Sequence, residues 1–250
     1  MASGRVYLIG AGPGDPELMT LAAVRALGEA SVVLADELVD RRCLAHTKGR
    51  VIDVGKRGGC ASTSQAFIER LMIRFARAGE TVARLKGGDP FIFGRGGEEL
   101  AALHAAGIAV EVVPGITAGI GVAASLGFPL TQRGLASGVT FVAGHSAQPA
   151  NWRALRDAGT TVVIYMGLAR LRALVAEMLA GGFPPRMPAC AVQEGTRERE
   201  RAVFAPLGAL ADCVESAALA APALIVVGET LTRAAAHSQG EHSSHVCGHH

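Results

Sequence analysis

Four glycine-containing segments each follow a short run of apolar and β-branched residues, and they have the character of ligand-binding loops. They are residues 10–15, 85–99, 113–118 and 165–167. Glycine lets backbone N–H groups approach a ligand closely, because no Cβ stands in the way. In open α/β sheets, ligands bind outside the carboxyl ends of the strands. Four such loops after four predicted strands therefore indicate a binding site to which several strand ends contribute.

The first of these loops is similar to a dinucleotide-binding turn but departs from it at two positions. A G-x-G-x-x-G pattern needs glycine where Asp15 stands, and Pro13 stiffens the turn where a pyrophosphate would approach. An acid at the start of the next helix would also repel a phosphate. Asp36 stands at about the distance at which such folds place their ribose-binding acid. An NAD(P)-binding oxidoreductase therefore stays open as an alternative on this loop and Asp36 alone.

The elements that position these loops alternate between strand-like and helix-like segments, which predicts βαβ units and an α/β fold. We predict two lobes, residues 1–116 and 117–231, each a mostly parallel or mixed sheet flanked by helices. The predicted strands are 6–10, 31–36, 51–54, 81–85, 110–113, 139–143, 161–166, 189–193, 201–204 and 223–227. The predicted helices are 17–30, 64–78, 97–106, 115–127, 168–180 and 207–216.

Capping residues support two of the helix starts. Asp15 can cap the first helix with Pro16 at its first position. Ser62 and Gln65 have the spacing of a capping box before the second helix. These signals place the first loop immediately before a helix.

Residues 232–250 lack this alternation and form a polar tail with five of the eight histidines. We predict a disordered extension, and a metal-handling tail is the alternative. The spacing of the histidines fits no zinc motif. The residues concerned are His237, His242, His245, His249 and His250, with Cys247 among them.

Composition excludes several classes of protein. Lys and Arg total 24 and Asp and Glu total 22, so the net charge of +2 lacks the basic excess of a nucleic-acid-binding protein. Half of the residues are hydrophobic, which excludes a disordered chain. Five cysteines without a C-x-x-C pair argue against a disulfide framework or a structural zinc site. Prolines and glycines interrupt the most apolar stretch, residues 112–130, so we expect a soluble cytoplasmic protein without membrane contact.

Six motifs, in this order along the chain, resemble the tetrapyrrole methylase family. They are GAGPGDPELMTLAA at 10–23, VGKRGG at 54–59, RLKGGDPFIFGRGGEE at 84–99, VVPGITA at 112–118, PLTQRG at 129–134 and VIYMGL at 163–168. The resemblance implies a two-lobed α/β fold, a homodimer, and S-adenosylmethionine as the methyl donor, without a metal. The implied reaction is methylation of uroporphyrinogen III at C2 and C7, through precorrin-1, to give precorrin-2. A methylase that acts on a later precorrin would share the same donor-pocket motifs.

The resemblance also implies roles for individual residues. Asp36 corresponds to the proton acceptor and Lys56 to the proton donor. Three further residues, Arg95, Glu98 and Arg133, match positions that handle the substrate, and Arg57 and Arg84 are additional candidates for this role. The implied donor pocket consists of Pro13, Gly87, Gly88, Asp89, Ile92, Thr117, Ala118, Met166, Gly195 and Ala223.

The implied reaction needs residues of these types. Methylation of a pyrrole carbon leaves a cationic ring that must lose a proton, which a carboxylate such as Asp36 can accept. The substrate carries carboxylates, and the planar fork of arginine binds a carboxylate through two hydrogen bonds, as expected of Arg95 and Arg133. Glu98 would orient Arg95. The alternatives are that Asp36 merely caps a turn at a strand end and that Lys56 lies in a solvated turn.

Overall fold

The structure is a computed structural model that describes residues 4–55, 63–146, 150–233 and 245–246. The chain divides into two compact units, unit 1 over residues 1–118 and unit 2 over residues 119–250. Each unit is built on one β-sheet with helices, so the predicted α/β class is confirmed. Within the described ranges, no helix has the length and apolar character needed to cross a membrane.

Unit 1 is built on five parallel strands. They are β1 (Arg5–Gly10), β2 (Val32–Ala35), β3 (Arg50–Asp53), β4 (Thr81–Lys86) and β5 (Ala109–Val113), in the sheet order β3-β2-β4-β1-β5. The helices are α1 (Leu21–Glu29), α2 (Gln65–Arg77) and α3 (Gly96–Ala105), with 3-10 segments at Pro16–Leu18 and Arg41–His46. Because the strands are parallel, their carboxyl ends meet at one edge of the sheet, and the glycine-containing loops begin there.

The two faces of the central strand β4 enter different cores. Strand side chains alternate between faces, so Ala83 and Leu85 pack in the core that includes α1, and Val82 packs in the core that includes α2 and α3. The same alternation places Arg84 and Lys86 on the face of Val82, and both side chains are buried. The face covered by α2 and α3 therefore contains two cations that need buried partners.

The first loop ends in a short turn before its helix. Asp15 caps the 3-10 segment Pro16–Leu18 by accepting a hydrogen bond from a backbone N–H of that segment, with proline at its first position. The hydroxyl of Thr20 then caps α1 by accepting a hydrogen bond from the N–H of Ala23. The prediction of one continuous helix from residue 17 is therefore wrong in its first turn, because a second capping residue begins α1 at Leu21.

Unit 2 is built on a mixed sheet. Its strands are β6 (Val139–Ala143), β7 (Thr161–Tyr165), β8 (Pro188–Gln193), β9 (Arg201–Pro206), β10 (Ala223–Val227) and β11 (His245–Val246), in the order β11-β9-β8-β10-β7-β6. The pairs β6–β7 and β9–β11 are parallel, and the other pairs are antiparallel. The helices are α4 (Ala118–Ser125), which begins at the last residue of unit 1, α5 (Trp152–Asp157), α6 (Leu171–Ala180) and α7 (Leu207–Ser216), with 3-10 segments at Leu168–Arg170 and Glu229–Arg233.

Several details differ from the sequence-based prediction. The sequence pattern does not predict α5, whose N-cap is Asn151 and whose Trp152 is buried in the core of unit 2. The N-cap of α2 is Ser64 in place of Ser62, which lies outside the described residues. Within the polar tail, β11 pairs with β9, and the tail's other histidines lie outside the described residues.

Candidate active site

The loops after β1 and β4 are joined through their backbones. The N–H of Gly12 donates to the carbonyl of Gly88 at 3.2 Å, and the N–H of Gly88 donates to the carbonyl of Gly12 at 2.7 Å. Both residues have a positive φ, +79° and +68°, in the region that favours glycine. The two loops therefore form one backbone layer at the carboxyl edge of the unit 1 sheet.

The loop after β5 packs against the same layer. A Cβ at Gly115 would lie 2.2 Å from the carbonyl oxygen of Gly88, and a Cβ at Gly10 would lie 2.6 Å from the backbone nitrogen of Gly115. A side chain fits at neither position, so glycine is required for the approach of the loops. Unit 1 thus brings together three of the four loops predicted from the sequence, and the fourth follows β7 in unit 2.

Asp89 uses both carboxylate oxygens to organise these loops. Oδ1 accepts a hydrogen bond from the N–H of Phe91 at 2.8 Å, and Oδ2 accepts one from the N–H of Gly115 at 3.0 Å. The carboxylate thereby ties the loop after β4 to the loop after β5. Each oxygen has a second lone pair with which it can accept a hydrogen bond from a ligand.

The segment between Asp89 and α3 contains two non-glycine residues with left-handed backbone, Phe93 (φ 53°) and Arg95 (φ 57°). Such strained positions cluster at ligand sites. The Nε of Arg95 donates to Oε1 of Glu98 at 3.0 Å, and this bond raises the pKa of Arg95 and lowers the pKa of Glu98. Both side chains are more than half exposed. Glu98 therefore orients a guanidinium that is presented to solvent.

Asp36 lies at the exposed end of a buried network of four charged side chains. Nη2 of Arg84 donates to Oδ1 of Asp36 at 2.7 Å, and Nε of Arg84 donates to Oε1 of Glu99 at 2.9 Å. Nζ of Lys86 lies 3.1 Å from Oε2 of Glu99 and 3.8 Å from Oδ2 of Asp36. Two cations and two carboxylates make the network neutral. The side chain of Asp36 is 29% exposed, whereas the other three are at most 4% exposed.

Burial and neighbouring charges act differently on the two cations. Burial by itself lowers the pKa of Arg84, but the attraction of Asp36 and Glu99 outweighs it, so the pKa is raised above its ordinary value. For Lys86, burial is the largest effect and repulsion by Arg84 adds to it, so the pKa is lowered despite the attraction of Glu99 and Asp36. Lys86 is therefore the cation of this network whose charge responds to alkaline pH.

The suggestion that Arg84 contacts the substrate is wrong, because its side chain is buried between Asp36 and Glu99. Lys86 and Glu99 are not among the residues singled out from the sequence. The sequence feature that points to them is the spacing of Arg84 and Lys86. Two cations at alternate positions of an apolar central strand point to one face of the sheet and need anions there. Of the two acids in the first turn of α3, Glu99 points inward and Glu98 outward.

A cavity of about 500 Å³ opens beside Asp36, a size found in small-molecule sites. Its walls come from the ends of β2 and β3 and from the residues that follow them. Asp36, whose side chain is partly exposed, is therefore one of the residues that line this cavity. The lining residues are Asp36, Glu37, Val39, Arg41, Val51, Ile52, Asp53 and Gly55.

In unit 2, two of the predicted donor-pocket residues occur where the backbone is left-handed. Met166 directly follows β7 with φ 55° and a half-exposed side chain. Gly195 lies between Glu194 (φ 48°) and Thr196 (φ 65°), and a Cβ at Gly195 would lie 2.2 Å from the side chain of Val122. Strained backbone thus occurs beside predicted donor residues in both units.

The remaining predicted residues are placed as follows. Thr117 is buried, Arg133 is exposed in a tight loop between Gln132 and Ala136, and Lys56 and Arg57 lie outside the described residues. Half-buried positions are occupied by Pro13, Gly87, Ile92, Ala118 and Ala223. Over the described ranges, no group of three or more His, Cys, Asp or Glu side chains is arranged to hold a metal ion.

Comparisons with known proteins point to one family. Residues 5–211 match the family described as Tetrapyrrole (Corrin/Porphyrin) Methylases. The chain is 51% identical over 230 residues to the uroporphyrinogen-III C-methyltransferase of Pseudomonas aeruginosa, and the alignment covers 91% of this chain and 94% of that protein. It is similar in structure to the uroporphyrin-III C-methyl transferase from Thermus thermophilus complexed with S-adenyl homocysteine, with a TM-score of 0.79, 44% identity, and coverage of 92% and 94% of the two chains.

A more distant structural relative is a cobalt precorrin-4 methyltransferase. Its TM-score of 0.80 is as high, but the sequences are only 26% identical, with coverage of 91% of this chain and 95% of that chain. The fold is therefore shared with a methylase that is named for a later precorrin, while the sequence is much more similar to the proteins named for uroporphyrin III.

Proposed function

Because the chain belongs to the tetrapyrrole (corrin/porphyrin) methylase family, we propose that it methylates uroporphyrinogen III with S-adenosylmethionine as the methyl donor. Two transfers, to C2 and to C7, give precorrin-2 by way of precorrin-1. The observation that carries this proposal is the 51% identity to the Pseudomonas aeruginosa methyltransferase over nearly the whole of both chains. The relative from Thermus thermophilus that holds S-adenyl homocysteine supports the choice of donor.

The loops of unit 1 fit a donor of this kind. When bound, S-adenosylmethionine supplies an electrophilic methyl group on a sulfonium cation, and it has no phosphate. Residues 10–15 and 87–89 offer backbone groups and two acids, Asp15 and Asp89, but no cation to hold a phosphate. The donor-binding residues of the proposal are Pro13, Gly87, Gly88, Asp89, Ile92, Thr117 and Ala118 in unit 1, and Met166, Gly195 and Ala223 in unit 2.

Asp36 is the proton acceptor in this proposal. After a methyl group has been joined to a pyrrole carbon, the cationic ring loses a proton, and the exposed edge of the Asp36 carboxylate can take it. Arg84 fixes the direction of this carboxylate through the hydrogen bond of 2.7 Å. Lys56 remains the proposed proton donor, and it lies outside the described residues.

Arg95 and Arg133 bind substrate carboxylates in this proposal. Both guanidinium groups are exposed, and Arg95 is oriented by Glu98. The planar fork of an arginine can bind each carboxylate through two parallel hydrogen bonds. The arginines therefore orient the macrocycle and take no part in proton transfer.

The structure argues against the NAD(P)-binding alternative. A dinucleotide fold directs the amides of a helix N-terminus from the glycine loop to the pyrophosphate. Here the loop is followed by a 3-10 turn capped by Asp15, and α1 begins only at Leu21, where the hydroxyl of Thr20 caps it. The turn that follows the loop is therefore capped by a carboxylate, which would repel a phosphate.

We also propose that the protein acts in the cytoplasm as a homodimer, as the family resemblance implies. Light scattering on the purified protein would then give twice the mass of the chain. A monomer at micromolar concentration would contradict the proposed dimer and leave the proposed reaction unaffected.

The reaction is tested by anaerobic turnover with S-adenosylmethionine and uroporphyrinogen III, with the methyl groups on the product counted by mass spectrometry. The expected product carries two added methyl groups. Tight binding of S-adenosylhomocysteine without any transfer would contradict the proposed substrate. In that case a later precorrin would be the substrate, as in the relative with 26% identity.

A further inference from the structure

We propose that Glu99 is a positioning residue for this reaction, which holds Arg84 and Lys86 so that these two cations fix the carboxylate of Asp36. The inference rests on the proposed function, because it gives Asp36 the role of proton acceptor. Glu99 itself is fully buried, so its effect reaches the reaction only through its two cationic neighbours.

Arg84 transmits the position of Glu99 to Asp36. Its Nε donates to Glu99 and its Nη2 donates to Asp36, so the two carboxylates hold different atoms of one planar guanidinium. Because the guanidinium is rigid, fixing Nε also fixes the direction in which Nη2 points. Gln65 on α2 donates to the same oxygen of Glu99 at 3.1 Å and helps to hold it in place.

Lys86 provides a second connection between the two acids. Nζ donates to Oε1 of Glu99 at 3.2 Å and lies 3.8 Å from Oδ2 of Asp36. Each carboxylate therefore has two cations beside it, and each cation has two carboxylates. If the charge of Glu99 were lost, two buried cations would compete for Asp36, and neither would have its second partner.

The location of the network argues for more than a structural role. Apolar residues would pack at these positions of β4 without the penalty of burying charges, and replacing a buried ion pair by apolar residues is often neutral or stabilising. The network instead lies at the carboxyl edge of the sheet, where ligands bind in α/β folds. Its one partly exposed member is Asp36, which lines the cavity beside β2.

The charge of Lys86 gives a direct readout of this arrangement. The charged groups near Lys86 are Arg84 on β4, Asp36 after β2, and Glu98 and Glu99 on α3. Burial and Arg84 lower the pKa of Lys86, and Glu99 and Asp36 raise it. Removing the charge of Glu99 therefore lowers the pKa of Lys86 further, and Lys86 loses its proton at a lower pH.

The test is the Glu99→Gln variant, studied by NMR and by kinetics. The chain has three lysines, so a sample labelled only in lysine gives three side-chain signals, and the signal of Lys86 is assigned with Lys86→Met. The pKa of Lys86 is expected to decrease in Glu99→Gln. The kcat for methyl transfer is expected to fall on the order of 100-fold, as when a reacting group is misplaced by about 1 Å. The affinity for S-adenosylhomocysteine is expected to stay at its wild-type value.

The matched control is Glu29→Gln, which removes one carboxylate charge on the opposite face of the same sheet. Glu29 accepts a hydrogen bond from Tyr7, which packs in the core that includes α1. This variant is expected to keep the wild-type kcat and the wild-type pKa of Lys86. The double variant Glu99→Gln with Lys86→Met is used where the single variant does not fold, because Arg84 and Asp36 then remain as a neutral pair. The double variant is expected to fold and to have a reduced kcat.

A folded Glu99→Gln or double variant with the wild-type kcat would overturn the positioning role. If the role of Glu99 were merely structural, the variant would give less folded protein, but the kcat of the folded fraction would be unchanged. That outcome would also overturn the positioning role. Failure of the proposed function is recognised separately, because the wild-type chain would then bind S-adenosylhomocysteine and transfer no methyl group to uroporphyrinogen III.

Discussion

The carboxylate of Asp89 and the backbone nitrogen of Gly115 lie 3.0 Å apart and form a hydrogen bond between the loops after β4 and β5. The other oxygen of the same carboxylate holds the turn to Phe91. Asp89 therefore determines the relative position of two loops that the proposal assigns to donor binding. Asp89 can therefore affect donor binding in two ways, through a direct contact with the donor and through the position of the two loops.

We expect Asp89→Ala to lower the affinity for S-adenosylhomocysteine by an order of magnitude or more. The substitution removes two hydrogen bonds from backbone N–H groups to a charged acceptor, and one such bond contributes about 1.5–3 kcal/mol. Isothermal titration calorimetry measures the effect. Asn151→Ala is the matched control, since it removes a side-chain cap that α5 receives in unit 2. Unchanged affinity in folded Asp89→Ala would contradict this role.

We expect Gly115→Ala to destabilise the protein by about 1–3 kcal/mol, the typical penalty of overpacking. The added Cβ would lie 2.2 Å from the carbonyl oxygen of Gly88, so the loop after β5 must move away. The matched control is Gly97→Ala, because Gly97 lies in α3 and a Cβ there meets nothing within 4 Å. That substitution should stabilise by about 0.5–1 kcal/mol. Urea unfolding measures the change in the free energy of unfolding for both variants. Equal changes would show that the loops are not closely packed.

Much of the fold could be predicted from the sequence because its signals are local. The strands β6 and β10 and the helix α7 have the predicted bounds. β6 and β10 are largely apolar segments delimited by glycine or proline, and α7 begins directly after Pro206. The first loop has two competing local signals. Asp15 and Thr20 are both good capping residues, and only the structure shows that each caps a separate element.

The buried network could not be predicted in the same way, because its contacts join three elements that are distant in sequence. Glu98 and Glu99 are adjacent and identical in type, and the direction in which α3 packs decides which of them is buried. The left-handed turn at Arg95 sets the start of that helix and thereby its rotation. The charge of Glu99 has a partner only because β4 places Arg84 beside it.

We expect Arg133→Leu to keep the affinity for S-adenosylhomocysteine and to lose turnover of uroporphyrinogen III. The side chain is exposed, so its removal should change the free energy of unfolding by no more than about 0.5 kcal/mol. Arg25→Leu, on the exposed side of α1, is the control for the loss of one surface arginine. Lower donor affinity with normal saturation by substrate would show that Arg133 belongs to the donor site instead.

Lys86 should make the stability of the protein depend on alkaline pH. Its pKa in the folded state is lowered, mainly by burial, from the ordinary value of 10.5. Below the lowered pKa, both the folded and the unfolded state hold this proton, so the contribution of Lys86 to stability is constant. Between the lowered pKa and 10.5, the unfolded state binds the proton and the folded state does not. Stability rises with pH wherever the unfolded state binds more protons.

The free energy of unfolding of the wild type, relative to Lys86→Met, should therefore increase with pH up to about 10.5, by at most about 1.4 kcal/mol per pH unit. Subtracting the free energy of unfolding of Lys86→Met at each pH removes the contribution of all other titrating groups, which the two proteins share. Urea unfolding at several values between pH 7 and pH 10 measures the difference, and Lys48→Met controls for the loss of one exposed positive charge. A difference that decreases with pH would mean that Glu99 and Asp36 attract the ammonium of Lys86 more strongly than burial disfavours it.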